Sequence, residues 1–253
     1  MTVAPGSVLL VTGASGGIGF EIAAQAAEAG AVLGVHGARG ATVEAAVTRL
    51  RERVPAGRFI ALPADFREPG AIELVIAQLT AETGGLDALV HCAITGAPGI
   101  TGAFRDTDPD NFGAAMQNMI GIFQRLCFAA LPHLSERGGT IIAFASDNGR
   151  FAAPRQSIIG AAYGGIMAFV RNLAVEVGRD GVRVHCLSPS YVMNTPVFDR
   201  FAATSDRAIR ANQRAPFGLP TPQDIAPIAL FLCGPGATKI TGQIISINGG
   251  LHA

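Results

Sequence analysis

The sequence predicts an α/β fold: one doubly wound parallel sheet of about seven strands, with helices on both faces. Short apolar runs typical of buried strands alternate with longer, alanine-rich helical stretches along all 253 residues. Apolar residues make up 49% of the chain and charged residues only 15%, as expected when both faces of a sheet are covered. No internal repeat or Pro/Gly/Ser-rich linker interrupts the pattern, so residues 1–253 are predicted to form a single domain.

The individual elements are predicted from hydrophobic periodicity and from the turn residues that bound each run. Strands are predicted at residues 7–12, 31–36, 58–63, 86–92, 139–145, 182–188 and 242–247. Helices are predicted at residues 18–29, 42–54, 70–83, 109–134, 159–178 and 221–232, with Pro132 near the end of the fourth. Residues 199–215 are predicted to form a helical flap, within a substrate-covering segment of about 190–218.

Charge and cysteine content exclude several function classes. The chain has 19 basic and 19 acidic residues, so no net field attracts nucleic acid or an anionic membrane. The cysteines are spaced too widely for a zinc site or a disulfide framework, and no metal site is predicted: they are Cys92, Cys127, Cys186 and Cys233. There is no signal-peptide pattern at residues 1–6 and no apolar run of about 18 residues, so we expect a cytoplasmic protein without a membrane span.

A glycine-rich turn joins the first strand to the first helix. Residues 12–19 read TGASGGIG, with Ser15 and Ile18 between the glycines Gly13, Gly17 and Gly19. Glycines at this spacing allow a tight turn and a close approach of the backbone to a pyrophosphate, which then lies at the N-terminus of the helix. The turn therefore predicts dinucleotide binding, although a plain strand-to-helix turn is the simpler alternative.

Two other interpretations of this turn, as a nucleophile elbow or as a P-loop, have less support. Residues 13–17 also fit the pattern G-x-S-x-G of a nucleophile elbow, but the turn follows the first strand and no ordered Asp and His partners are evident. A phosphate-binding P-loop requires a lysine in the turn, and the only lysine of the chain is Lys239.

The end of the second strand bears on the choice between NAD and NADP. An acidic residue there binds the 2′-hydroxyl of the adenine ribose in NAD-dependent proteins. The sequence here is VHGAR, residues 35–39, which has no carboxylate and ends in Arg39. Arg39 is either a solvated loop residue or a partner for a 2′-phosphate, so NADP(H) is the preferred cofactor and NAD(H) is possible.

From these motifs the chain resembles the short-chain dehydrogenase/reductase (SDR) family almost end to end, and the resemblance implies a Rossmann-like fold. Residues 12–19 match the family pattern TGxxxGxG, and the C-terminal half keeps the family's pattern at residues 222–226 and 240–250. The resemblance implies adenine contacts from Asp65 and Phe66, a helix asparagine at Asn118 and the catalytic serine at Ser146. Residues 188–192 resemble the segment that holds the nicotinamide carboxamide, through Pro189 and Val192, with Ser190 where glycine is usual.

The strongest departure from the family is the loss of its Tyr-x-x-x-Lys pair. The family spacing from Ser146 places Ile159 at the tyrosine position and Tyr163 at the lysine position. The chain has only two tyrosines, Tyr163 and Tyr191, and one lysine, so the pair exists nowhere in it. Ile159 can transfer no proton, and Tyr163, with no adjacent cation, is expected to keep a pKa of about 10 and to be a poor base.

A second departure lies at the fourth strand, where the family element NNAG is replaced by residues 91–94, HCAI. Cys92 and Ala93 keep the cofactor-binding position, and Ile94 follows them. His91 is either a core histidine or a replacement proton donor. Asp147 and Asn148 are further candidates for that role, although both residue types are typical of loops that follow strands.

The role of Tyr163 and the activity of the chain stay open at this point. Tyr163 is a ribose ligand, a catalytic acid or a packing residue. The chain is an NADP(H)-dependent oxidoreductase that uses Ser146 with a replacement donor or a substrate needing little acid help, such as an iminium or an activated alkene. Alternatively, it is an inactive cofactor-binding SDR that serves as a partner or regulatory subunit, or a non-redox SDR.

Two further expectations follow from the resemblance. The substrate is a small molecule. Self-association into a homo-oligomer, a tetramer or dimer, is implied through the helices predicted at 109–134 and 159–178.

Overall fold

All seven predicted strands form one parallel sheet. The computed structural model describes residues 3–93, 96–204 and 206–252. Its strands are β1 Val8–Thr12, β2 Val32–Gly37, β3 Arg58–Pro63, β4 Ala88–His91, β5 Thr140–Phe144, β6 Arg183–Ser188 and β7 Ile244–Ser246. Their order in the sheet is β3-β2-β1-β4-β5-β6-β7, so the strand order reverses between β1 and β4. A crevice forms where the order reverses, at the carboxyl edge of the strands.

Helices cover both faces of this sheet. They are α1 Gly17–Glu28, α2 Gly40–Arg53, α3 Ala71–Thr83, α4 Phe112–Met116, α5 Ile122–Ser135, α6 Ser157–Glu176, α7 Pro196–Thr204, α8 Arg207–Arg214 and α9 Pro222–Cys233. Alternate residues of β1 point to opposite faces: Leu9 and Val11 pack with α1, α2 and α9, whereas Val8 and Leu10 pack with α3, α5 and α6. The fold is therefore the predicted doubly wound sheet with two apolar layers.

The helix predicted over residues 109–134 is interrupted. It consists of a 3-10 turn at Pro109–Asn111, then α4, a π-helical segment at Gln117–Gly121 and finally α5. An apolar stripe continues through this change of winding, so its periodicity does not reveal the π segment. Pro132 lies inside the last turns of α5, which ends at Ser135.

The prediction of a single flap helix over residues 199–215 is wrong, because this segment forms the two helices α7 and α8. The first helix begins at Pro196, earlier than predicted, since the Thr195 hydroxyl accepts a hydrogen bond from the Phe198 amide at 3.2 Å. A threonine cap followed by proline is a strong helix start. The second helix ends at Arg214, and Ala215 is extended ahead of Pro216, as expected for a residue that precedes a proline.

One helical stretch, Ser157–Asp180, is apolar enough by length and composition to cross a membrane, contrary to the expectation from the sequence. Its alanines and branched aliphatic residues raise its mean hydropathy to 1.5. Ile166, Met167 and Val170 are buried in the layer between this helix and the sheet. Core helices of α/β proteins pass the same test of length and composition, so it is weak evidence for a span.

Candidate nucleotide-binding and catalytic site

The turn after β1 has a backbone that only glycine accommodates easily. Gly13 and Gly17 adopt φ values of 70° and 55°, in the left-handed region. A Cβ atom on Gly19 would lie 2.5 Å from the carbonyl oxygen of Gly13, and one on Gly13 would lie 2.9 Å from the amide nitrogen of Ala93. The predicted glycines thus let α1 start tight against β1 and β4.

The N-terminus of α1 offers free amides. Its N-cap, Gly16, provides no side-chain hydrogen bond, and the first turn of the helix contains no acidic residue. The first amides of a helix have no partner within it, and together with the helix dipole they favour a bound anion. Ser15 and Ile18 flank this position within the turn. This geometry fits a dinucleotide pyrophosphate.

The end of β2 faces the same turn. A Cβ atom on Gly37 would lie 3.1 Å from a methyl carbon of Val43 and 3.4 Å from the Ser15 hydroxyl oxygen, so a larger side chain here would require Val43 to shift. Arg39 follows, exposed at the N-cap of α2, and no carboxylate of the described residues lies within ion-pair distance of it. An unpaired guanidinium beside the glycine turn suits a phosphate.

The predicted adenine contacts after β3 are already engaged with protein groups. Arg67 donates hydrogen bonds to the Asp65 carboxylate at 2.5–3.1 Å, which lower the pKa of Asp65 to about 2. Phe66 is buried and stacks on His36 with ring centroids 3.8 Å apart. Burial lowers the pKa of His36 to about 4, so its ring is neutral at pH 7. A nucleotide at this position would therefore meet an ion pair and the backbone of Phe66.

His91 connects the carboxyl end of β4 to the end of β1. Its Nδ1 lies 2.8 Å from the Thr12 hydroxyl, which also accepts a hydrogen bond from the Ala93 amide at 3.4 Å. Burial lowers the pKa of His91 to about 3, and its ring stacks on Phe123. These contacts correspond to a neutral core histidine linking β1 to β4. Burial also raises the pKa of the neighbouring Cys92 thiol. Ile94 lies outside the described residues.

Ser146 follows β5 and is half-buried, and the described residues provide no hydrogen-bond partner for its hydroxyl. The 3-10 turn Asp147–Gly149 then docks on α6, where a Cβ atom on Gly149 would lie 2.8 Å from the backbone carbon of Tyr163. The sheet and this contact bring Ser146 close to the helix that carries Ile159 and Tyr163. These are the residues that the family resemblance placed together.

Ile159 and Tyr163 are one helical turn apart on α6. Both pack against an apolar cluster that includes Ile100 and Met119. Burial raises the pKa of Tyr163 to about 12, above the value of about 10 predicted from the sequence. The phenol is therefore protonated at neutral pH and can donate a hydrogen bond but not accept a proton. Nothing in the Ile159 side chain can transfer one.

Asn118 lies in the π-helical segment between α4 and α5. Its side-chain amide donates a hydrogen bond to the backbone oxygen of Gly96 at 3.3 Å. Single π-helical turns occur frequently at functional sites. The segment thus presents Asn118 toward the loop that follows β4, in keeping with a role near the reacting groups.

The loop after β6, predicted to hold the nicotinamide carboxamide, contains a non-glycine residue in the left-handed region. Ser190, which stands where glycine is usual, has a φ of 63°, in the left-handed region that is costly for serine. Pro189 precedes it, and Val192 is buried after it. The sequence analysis missed Thr195, whose methyl carbon lies 3.6 Å from the Cβ position of Gly17. Its place before a proline at a helix start was the available signal.

Asp147 and Asn148, the other candidate proton donors, are both engaged in hydrogen bonds with protein groups. The Asp147 carboxylate is buried. Burial acts to raise its pKa, but hydrogen bonds from Asn248, Ser188 and Ser246 outweigh this and lower it. The amide of Asn148 donates to the Gln156 side chain, beside a cavity of about 360 Å³. Asp147 is thus an ionised acceptor rather than a proton donor.

Comparisons with known proteins agree with this geometry. A family described as Enoyl-(Acyl carrier protein) reductase matches residues 13–252. The 3-oxoacyl-[acyl-carrier-protein] reductase FabG of Vibrio cholerae serotype O1 is 34% identical to the chain, and the alignment covers 98% of each protein.

Two solved structures share the fold at a TM-score of 0.89 and 26% identity. One is L-sorbose reductase from Gluconobacter frateurii complexed with NADPH and L-sorbose, with 99% of this chain and 98% of that chain covered. The other is 7α-hydroxysteroid dehydrogenase complexed with NADH and 7-oxo glycochenodeoxycholic acid, with coverage of 98% and 95%. The chain therefore belongs to the short-chain dehydrogenase/reductase family of oxidoreductases.

Proposed function

We propose that this protein is an NADP(H)-dependent oxidoreductase for small molecules whose reduction needs little help from a protein acid. The observation that carries the proposal is the combination of an uncapped, glycine-rich helix start with an aliphatic Ile159 at the tyrosine position of α6. The first feature supports binding of a dinucleotide, and the second argues against ordinary carbonyl reduction.

Several residues of this chain fit the nucleotide. The amides after Gly16 would bind the pyrophosphate, and Arg39 would bind the ribose 2′-phosphate. The Tyr163 hydroxyl, which has no hydrogen-bond partner among the described residues, would donate to the nicotinamide ribose. When bound, the reduced nicotinamide supplies a hydride.

The remaining polar groups of the site limit which classes of substrate can be reduced. The Ser146 hydroxyl can donate one hydrogen bond to a developing negative charge. The one proton of the Tyr163 hydroxyl is given to the ribose, and with its pKa raised to about 12 this phenol cannot act as a base at neutral pH. An iminium carbon is already electrophilic, and its reduction requires no proton at the reacting bond. Hydride addition to an alkene conjugated to a carbonyl gives an enolate, whose oxygen needs a hydrogen-bond donor and whose α carbon can take its proton from water. The enoyl reductase description of the matching family supports this class.

A catalytically inactive, cofactor-binding protein is the second candidate. The packing of Ile159 and Tyr163 against the cluster of Ile100 and Met119 favours it, because this face of α6 is already apolar. Such a protein would bind NADPH and act through a partner.

One experiment separates the two candidates. The protein is mixed with NADPH and then with a cyclic iminium, an enoyl thioester or a simple ketone, and NADPH absorbance is followed. We expect oxidation of NADPH with the iminium or the enoyl thioester, little with the ketone, and a slower reaction in Ser146→Ala. No oxidation with any of the three, in a protein that binds NADPH, would favour the inactive candidate.

Self-association is part of the proposal. Phe128 on α5 and Val175 on α6 are 85% and 80% exposed, which leaves apolar side chains on the outer faces of both helices. Burial of such faces against a second copy would form the predicted dimer or tetramer, and a monomeric mass by light scattering would contradict it. A cytoplasmic location stays a prediction of the sequence.

A further inference from the structure

The carboxylate of Asp147 is the centre of a buried polar junction directly after Ser146. The side chain of Asp147 is 0% exposed and accepts hydrogen bonds from four other side chains. Oδ1 accepts from the hydroxyls of Ser188 at 2.7 Å and Ser246 at 2.9 Å. Oδ2 accepts from the Asn248 amide at 2.5 Å and from Nδ1 of His252 at 3.3 Å.

This junction joins parts of the chain that are far apart in sequence. The donors end β6, end β7 and occupy the C-terminal segment, at separations of 41 to 105 residues from Asp147. Arg150 adds an ion pair to Asp147 at 3.7 Å, and its guanidinium also donates to the backbone oxygen of Ile244 and to Ser246. A buried carboxylate needs such a complete set of donors, because removing one leaves the charge poorly compensated.

The two chain segments fixed by the junction are the ones that face the proposed nicotinamide position. Asp147 follows Ser146 directly, and Ser188 precedes Pro189 directly. The backbone reinforces the same pairing, since the Ala145 amide donates to the Leu187 oxygen at 2.9 Å. Movement of Asp147 would therefore displace Ser146 and the loop after β6 relative to each other.

We propose that Asp147 is a positioning residue for the nicotinamide half of the bound dinucleotide, acting through Ser188 and the backbone of Ser146. The proposal rests on the proposed function, because it presupposes that a dinucleotide binds. In this role Asp147 does not itself contact the cofactor. The residues predicted to hold the adenine half, Arg39, Asp65 and Phe66, follow β2 and β3, outside the junction, so binding of that half would not depend on Asp147.

The test compares a whole dinucleotide with a fragment that lacks nicotinamide. Dissociation constants for NADPH and for 2′,5′-ADP are measured by fluorescence and calorimetry in the wild type and in Asp147→Asn. In the variant an NH2 group replaces one of the two oxygens. It meets either the Asn248 amide, which cannot turn without losing its bond to the Gly250 amide at 2.9 Å, or the Ser188 and Ser246 hydroxyls, which then lose their acceptor, and in both cases the charge is lost. We expect NADPH binding to weaken by about tenfold or more, as for one lost charged hydrogen bond, with 2′,5′-ADP binding unchanged.

A rescue variant separates this role from general packing. In the double variant Asp147→Asn with Asn248→Asp, the amide at 147 faces a carboxylate at 248, which also accepts from Gly250. This variant is expected to recover NADPH binding. Equal weakening of both ligands in Asp147→Asn, unchanged NADPH binding, or no recovery in a folded double variant would each overturn the proposal.

If Asp147→Asn does not fold, Ser188→Ala removes a single donor and should show the same selective loss of NADPH binding, to a smaller degree. Equal affinities of this variant and the wild type for NADPH would then overturn the proposal. Wild-type protein that binds neither NADPH nor 2′,5′-ADP would instead contradict the proposed function.

Discussion

The turn after β1 and helix α6, which follows β5, reach the same edge of the sheet. The turn contributes through its backbone geometry, whereas the helix contributes through the chemistry of its side chains. The turn uses its backbone: a Cβ atom on Gly19 would lie 2.5 Å from the Gly13 oxygen, so a larger residue requires the chain to move. Helix α6 uses side chains, and Ile159 and Tyr163 fit among apolar neighbours without disturbing it. A reaction can therefore be lost or changed by replacing two side chains, while the nucleotide-binding turn keeps its shape.

The largest effect is expected from restoring the missing pair. The double variant Ile159→Tyr with Tyr163→Lys places a phenol and a cation at the family positions, and ketone reduction should rise by about 10²–10⁴-fold, as for a gained general acid. The control is Ile159→Phe with Tyr163→Lys, which lacks only the hydroxyl. Equal rates in the two double variants would show that the hydroxyl at position 159 is not what this site lacks.

A substitution in the glycine turn should instead weaken nucleotide binding. Gly19→Ala forces a backbone shift at the start of α1, and we expect NADPH affinity to fall by about 100-fold, or ~2.7 kcal/mol. Gly178→Ala, remote from the turn, is the control, because a Cβ atom there also meets nothing within 4 Å. Fluorescence titration measures both. Similar losses in the two variants would contradict the argument from close approach.

Substitution of Arg39, which follows β2, is expected to have a smaller and more selective effect on nucleotide affinity. Arg39→Ala should weaken NADPH binding by about tenfold and leave NADH binding nearly unchanged, because only the 2′-phosphate meets the guanidinium. The same titration with both nucleotides decides this. Tighter binding of NADH than of NADPH by the wild type would remove the basis for assigning Arg39 to the phosphate.

The smallest effect concerns the protonation of Tyr163. In Tyr191→Phe, Tyr163 is the only tyrosine, so phenolate absorbance reports it alone. Its pKa should lie near 12, and because the folded state holds the proton more tightly, stability should fall as pH rises from about 10 toward that value. Circular dichroism at each pH defines the folded range. A midpoint at or below 10 in folded protein would mean that a nearby group activates the phenol.

Sequence reasoning predicted the sheet well because buried parallel strands leave short apolar runs bounded by turn residues. It placed the strand at residues 58–63 as observed, while β4 and β7 are shorter at both ends than predicted. It did not find the π-helical segment at Gln117–Gly121, since an apolar stripe is compatible with either winding. The break between α7 and α8 was likewise not predicted, because no glycine or proline lies between the two helices to mark it.

The candidate site was predictable where one local motif defines it and not where distant residues meet. The glycine turn and the altered α6 are both visible in short stretches of sequence. The junction at Asp147 is not, because its partner Asn248 is 101 residues away. Asp147 therefore looked like a possible acid, whereas its donors hold it as an anion. Likewise, His91 pairs with Thr12, 79 residues away, which only the strand pairing brings close.

One titration tests the central claim, that this chain keeps its nucleotide-binding turn but lacks a proton donor for carbonyls. Wild-type protein is titrated with NADPH until its fluorescence change saturates, and a simple ketone is then added to the same sample. The account predicts saturable binding followed by a nearly constant NADPH signal. Absence of binding, or rapid consumption of NADPH by the ketone, would contradict it.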